Sequence, residues 1–152
     1  MTRKEKAMQS FKEGYNCAQC MMLAFEDVLT IELETAVKIA SPFGGGMGRL
    51  REVCGSVSGM FMVLSFLKGY HAPEDYEGKK ELYEHVQELA RRFEAENGSI
   101  ICRDLLGLHV QHDEAAPEKR TETYYKNRTC DEKIGSAAEI LENYLLELNL
   151  IA

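Results

Sequence analysis

The sequence has no excess of positive charge and no long apolar run. Its formal net charge is −7. Nucleic-acid-binding proteins normally carry a basic patch, so we expect neither nucleic acid nor an anionic membrane surface as a partner. The longest stretch without a charged residue is Val53–Leu67, 15 residues, whereas a transmembrane helix needs ~20. The charged N-terminus carries no signal-peptide pattern, so a cytoplasmic location is the expectation.

The sequence also lacks segments in which apolar and polar residues alternate, so we expect no β-strands. Helical periodicity runs through most of the 152 residues, and no linker or internal repeat divides them. The prediction is a single all-α domain, residues 1–152. We expect a compact bundle of five to seven helices around a central apolar helix at about 51–69.

Capping and stop signals set the expected helix boundaries. Asn16 can cap a helix by accepting from the amide of Gln19, and the Gln19 side chain can reach back to form a capping box. In the central helix, Gly55 and Gly59 are four residues apart and share one face, where another backbone could approach closely. The expected helices cover about 3–13, from the Asn16 cap to about 29, 32–40, 51–69, 74–97, 100–106, 117–126 and 131–149.

The five cysteines are odd in number, which argues against a permanent disulfide framework. Four of them, Cys17, Cys54, Cys102 and Cys130, lie at expected helix N-termini. A helix N-terminus favours thiolate over thiol, and the thiolate is the nucleophile and the metal ligand. We therefore predict these four as catalytic cysteines, with metal ligation by the same four as the alternative. Cys20 is expected to be a bystander on a helix flank.

A glycine-rich loop precedes the central helix. It has neither a preceding strand nor the Lys-Ser/Thr of a P-loop, so a phosphate-binding role is not indicated. We expect it to turn sharply and pack close to the Cys54 site, while a plain connector is the alternative. Nearby arginines could favour thiolates at Cys54 and Cys102. The predicted supporting residues are Gly44, Gly45, Gly46, Gly48, Arg49, Arg51, Gly55, Gly59 and Arg103.

The remaining polar residues do not indicate a catalytic or metal-binding site. His109 and His112 are three residues apart in a polar segment, where exposed surface is expected rather than metal ligation. No Ser/His/Asp or Cys/His nucleophile set can be assembled.

Four motifs together carry a family resemblance. They are Gly14–Gln19, the segment Phe43–Gly59, the segment Gly98–Gly107 and Cys130 before the last helix. In this combination the chain resembles the C-GCAxxG-C-C family of redox-active proteins. Val53 and Ser56 depart from the family pattern, and Cys20 is extra. The resemblance implies a redox-active site at the four cysteines, and it implies a transport-associated protein as a redox partner.

Three functions remain open at this point. The first is a thiol-based oxidoreductase that works by thiol-disulfide exchange or electron transfer and needs no cofactor. The second is an iron-sulfur cluster or zinc ion held by four cysteines, although their spacings of 37, 48 and 28 residues would bring them together only through the fold. The third is a non-enzymatic helical accessory protein. The apolar central helix could also lie at a subunit interface, which leaves a homo-oligomer open.

Overall fold

The computed structural model describes residues 1–108 and 112–152, so the expectation for His109 lies outside the described residues. Those residues form eight α-helices and no strands, which confirms the predicted all-α fold. Two 3₁₀ turns, Glu26–Val28 and Ser41–Phe43, connect the early helices. The helices are α1 (Arg3–Lys12), α2 (Cys17–Ala24), α3 (Leu33–Ala40), α4 (Gly55–Lys68), α5 (Tyr76–Asn97), α6 (Cys102–Leu105), α7 (Glu122–Asn127) and α8 (Cys130–Glu147).

The predicted capping box at α2 is present. The Asn16 side chain accepts a hydrogen bond from the Gln19 amide at 2.9 Å, and the Gln19 side chain accepts one from the Asn16 amide at 3.0 Å. Two of the unpaired amides at the start of the helix are satisfied in this way. The cap therefore fixes Cys17 as the first residue of α2.

The central helix begins at Gly55 rather than at 51, so its predicted start is wrong by four residues. The preceding segment is drawn away from helical geometry by backbone pairing, because Val53 forms an isolated antiparallel bridge with Ile101. The rest of the prediction holds, since α4 packs against α2, α5 and α8. Its residues Val57, Met60, Val63 and Leu64 are fully buried.

The core lies where α2, α4 and α8 meet. Met21, Met60, Ile134 and Leu141 have no exposed surface there. Within the described ranges, we find no helix that is both long and apolar enough to span a membrane.

Gly59 sets the distance between α2 and α4. A Cβ atom at this position would lie 2.6 Å from Met21 Cβ and 3.3 Å from the carbonyl oxygen of Ala18. The two helices can therefore approach this closely only because position 59 has no side chain.

We expect Gly59→Ala to destabilise the protein by about 1–3 kcal/mol, because the added methyl group overpacks the contact with Met21. Urea unfolding measures this change. Ser65→Ala, at an exposed position on the same helix, serves as the control and should change the free energy of unfolding by less than about 0.5 kcal/mol. Equal effects of the two substitutions would contradict the close approach.

Candidate functional site

One cavity of about 270 Å³ is lined by all four predicted cysteines, Cys17, Cys54, Cys102 and Cys130. The glycine loop forms another part of its wall. Each cysteine comes from a different segment: Cys17, Cys102 and Cys130 begin α2, α6 and α8, and Cys54 immediately precedes α4. Helix starts from distant parts of the sequence therefore converge on one space.

Cys20 does not line this cavity. Its thiol is fully buried and lies 3.8 Å from the carbonyl oxygen of Tyr15. Burial raises the pKa of Cys20 to about 12. This cysteine is structurally separate from the other four, as expected of a bystander.

The Cys17 and Cys130 thiols lie on the same cavity wall, close enough for the ionisation of one to affect the other. The interaction with Cys130, together with burial, raises the pKa of Cys17 well above its ordinary value. The interaction with Cys17 lowers the pKa of Cys130, and the guanidinium groups of Arg128, Arg120 and Arg51 lower it further. The first thiolate in the pair therefore forms at Cys130.

Cys54 and Cys102 flank the bridge between Val53 and Ile101. The Cys54 amide donates to the Ile100 carbonyl at 2.8 Å, and the Cys102 amide donates to the Glu52 carbonyl at 2.5 Å. Successive side chains on an extended segment point to opposite faces. Cys54 follows Val53 and Cys102 follows Ile101, so both side chains lie on the face opposite to those of the bridged pair. They occupy diagonal positions on the two antiparallel segments.

Burial raises the pKa of both Cys54 and Cys102. A hydrogen bond between Cys54 Sγ and Ser56 Oγ, 3.0 Å apart, partly opposes the effect at Cys54. At Cys102 it is opposed by Arg51, whose Nη1 lies 3.6 Å from the sulfur. The expectation of a lowered thiol pKa at all four helix starts is thus met only at Cys130, because burial outweighs the favourable contacts at the other positions.

Two of the predicted arginines lie near Cys102 in different ways. Arg51 contacts the sulfur of Cys102, one of the two cysteines expected near these arginines, and its Nε donates to Asp113 at 2.7 Å. Arg103 donates to the Arg51 carbonyl at 3.0 Å and pairs with Glu52 at 3.3 Å. Arg103 therefore stabilises the backbone after the glycine loop and does not line the cavity.

The glycine loop is a single left-handed helical turn. The five consecutive residues Gly45–Arg49 have φ angles between 61° and 71°, and the Gly48 amide donates to the Gly44 carbonyl at 2.9 Å. Two residues of the turn, Met47 and Arg49, are not glycine, and Arg51 beyond it also has positive φ. Such residues cost about 1–2 kcal/mol each. Strain of this kind is typical of functional sites.

Close backbone approach is the second role of these glycines. A Cβ atom at Gly46 would lie 2.6 Å from Cys102 Cβ, and one at Gly55 would lie 3.0 Å from Cys17 Cβ. Because Gly46 has no side chain, Cys102 can pack against the loop. Because Gly55 has none, Cys17 can pack against the start of α4. Gly59, predicted as a supporting residue, instead lies one turn further along and contacts Met21.

Three cations on the cavity wall were missed by the sequence analysis: Arg120, Arg128 and Lys133. Lys133 is three residues after Cys130, a spacing that places both on one face of α8. The sequence therefore contained a signal for Lys133. Arg128 lies before this helix in extended backbone and had no such signal. Arg120 carried none, since it lies outside any helix and its guanidinium packs over the Phe11 ring at 4.4 Å.

The metal alternative does not fit the arrangement of side chains. Among residues 1–108 and 112–152, no three His, Cys, Asp or Glu side chains converge so that they could hold a metal ion. His112 is exposed, as expected. The cysteines of the cavity wall are therefore arranged as neighbouring thiols rather than as a ligand set.

We expect Cys130 to be alkylated at lower pH than the other cysteines of the cavity. Its reactivity should rise as pH increases through its lowered pKa, because only the thiolate attacks. Cys17→Ala removes the neighbouring thiol whose interaction lowers the pKa of Cys130, and it should move the midpoint of Cys130 alkylation to higher pH. Peptide mass spectrometry after iodoacetamide pulses at a series of pH values measures both.

Cys20→Ala is the matched control for this experiment and should leave the Cys130 midpoint almost unchanged. A Cys130 midpoint at or above that of Cys54 would contradict the assignment.

Gly46→Ala and Gly48→Ala separate backbone strain from close approach. Both positions have positive φ, and each substitution should cost about 1–2 kcal/mol for that reason. A Cβ atom at Gly48 would meet only the Pro42 carbonyl at 3.9 Å, whereas one at Gly46 would clash with Cys102. We expect Gly46→Ala to be less stable than Gly48→Ala by a further 1–3 kcal/mol or so in urea unfolding. Equal losses would contradict the clash.

Comparison with known proteins identifies the family. Residues 15–144 match the family described as "Putative redox-active protein (C_GCAxxG_C_C)". The matched span holds the glycine loop and all four cysteines of the cavity wall. No curated protein and no solved structure matches the chain. Since the match covers well over half of the sequence, the chain belongs to the C-GCAxxG-C-C family of redox-active proteins.

Proposed function

We propose that the protein is a thiol-based oxidoreductase in which Cys17 and Cys130 cycle between a dithiol and a disulfide. The position of these two interacting thiols on one cavity wall supports the proposal. One of them has a lowered pKa and the other a raised pKa. A nucleophilic thiolate beside a resolving thiol is what thiol-disulfide exchange requires.

The chemistry proceeds in two displacements. The Cys130 thiolate attacks one sulfur of an oxidised partner's disulfide, and that partner's other sulfur leaves as a thiolate. Cys17 then loses its proton and attacks the Cys130 sulfur, which releases the second partner thiolate. Two electrons have passed from the protein dithiol to the partner, and a Cys17–Cys130 disulfide remains.

Cys54 and Cys102 supply a second thiol pair on the same cavity wall. The negative charge of a Cys54 thiolate opposes ionisation of Cys17, and that of Cys102 opposes ionisation of Cys54, so neighbouring thiols avoid ionising together. In our proposal this pair reduces the Cys17–Cys130 disulfide. Cys54 loses its proton and attacks the Cys17 sulfur, which releases Cys130 as a thiolate. Cys102 then loses its proton and attacks the Cys54 sulfur, which releases Cys17 as a thiolate and leaves a Cys54–Cys102 disulfide. Burial raises the pKa of both attacking thiols, so we expect this transfer to be slower than the attack by Cys130.

Oxidation of the fully reduced protein tests the proposal. With a mild oxidant such as oxidised dithiothreitol or diamide, the number of free thiols should fall from five in pairs, and the first disulfide mapped by mass spectrometry should join Cys17 to Cys130. Cys17→Ser and Cys130→Ser should each prevent this bond. Cys20→Ser, the matched control, should leave it intact.

Two results would contradict the thiol function. One is that all five thiols survive an excess of oxidant in the folded protein. The other is that protein purified without oxygen contains stoichiometric iron or zinc, which would favour the ligand set that the geometry does not support.

A further inference from the structure

The cavity wall carries five cations, Arg49, Arg51, Arg120, Arg128 and Lys133. Two carboxylates face them: Asp113 binds Arg51 at 2.7 Å, and Glu118 binds Arg128. Arg49 shares the same two carboxylates at 3.6 and 4.0 Å. The surroundings of the cavity therefore have an excess of three positive charges, although the net charge of the protein is −7.

Some of this positive charge is not neutralised by a carboxylate. Neither Arg120 nor Lys133 forms a salt bridge within the described part of the chain. The Arg120 guanidinium donates instead to the carbonyl oxygens of Phe11 and Tyr15, which carry no net charge. The Nε of Arg49 is buried and has no hydrogen-bond partner among the described residues. Buried donors are nearly always paired in proteins, so this N–H group indicates an acceptor that enters the cavity from outside.

The size of the cavity limits what can enter. A volume of about 270 Å³ is slightly below the usual range of ligand pockets, about 300–1,000 Å³. Phe11, Leu105 and Tyr124 add apolar surface to the wall. Charge and apolar surface together fit a small organic anion better than a bare inorganic ion or a segment of protein.

We propose that the oxidised partner of this site is a small organic disulfide that carries carboxylate or similar anionic groups. This inference rests on the proposed thiol function. The cations of the wall bind the anionic groups and hold the S–S bond beside Cys130. The Cys130 thiolate attacks one sulfur and the S–S bond breaks. Cys17 then displaces the second half, so the anionic disulfide leaves as two thiols and the protein dithiol becomes a disulfide.

Three disulfides of matched length test the charge preference: dithiodipropionate with two carboxylates, hydroxyethyl disulfide with none, and cystamine with two ammonium groups. Each is mixed with reduced protein without oxygen, and the loss of protein thiols is followed in time. Each rate is divided by the rate at which the same disulfide is reduced by dithiothreitol, an uncharged thiol, which removes differences in intrinsic reactivity. We expect dithiodipropionate to exceed cystamine by about tenfold or more at low ionic strength. The ratio should fall as salt is added.

Lys133→Gln should reduce this ratio several-fold, whereas Lys133→Arg should keep it. Lys126→Gln removes the charge of an exposed lysine away from the cavity wall and should have no effect. The salt dependence of the unaltered protein makes the same test without any substitution, so the inference can fail even if a variant does not fold.

The outcomes separate the two proposals. If none of the three disulfides oxidises Cys17 and Cys130, the thiol function fails. If all three do so at equal normalised rates, or if cystamine is fastest, the thiol function stands and the anionic partner is overturned.

Discussion

The backbone of Glu52 is the constraint on which the site depends. Its amide donates to the Gly46 carbonyl at 2.9 Å, and its carbonyl accepts from the Cys102 amide. The backbone of one residue thus ties the left-handed turn to the start of α6, which lies about fifty residues later in the chain. The loop, Cys54 and Cys102 keep their relative positions because of these bonds, and the cavity between them has a fixed wall.

Local signals in the sequence predicted part of this arrangement. The start of α2 follows from Asn16 and Gln19, whose capping box needs only residues three positions apart. The bridge between Val53 and Ile101 could not be predicted in the same way, because it pairs one residue with one residue across 48 positions. Such a contact leaves no alternating pattern in either segment. The predicted start of α4 failed for the same reason.

The four thiols also show how much a position at a helix start contributes to the pKa of a cysteine. Cys17, Cys102 and Cys130 are each the first residue of a helix, yet only Cys130 has a lowered pKa. Burial opposes the charged form at every position, so the balance depends on what else the sulfur contacts. Sequence spacing could place these thiols at helix ends, but it could not predict which of them would interact with one another.

Cys17 and Cys130 are 113 positions apart in the sequence. In an unfolded chain the two sulfurs would meet rarely, whereas folding keeps them in contact and so raises the effective concentration of one at the other. By thermodynamic linkage, a disulfide between them would stabilise the folded state by the same free energy with which folding favours the disulfide. Chain entropy puts that coupling at about 4–5 kcal/mol for a loop of this length. The redox state of the pair and the stability of the fold are thus thermodynamically coupled.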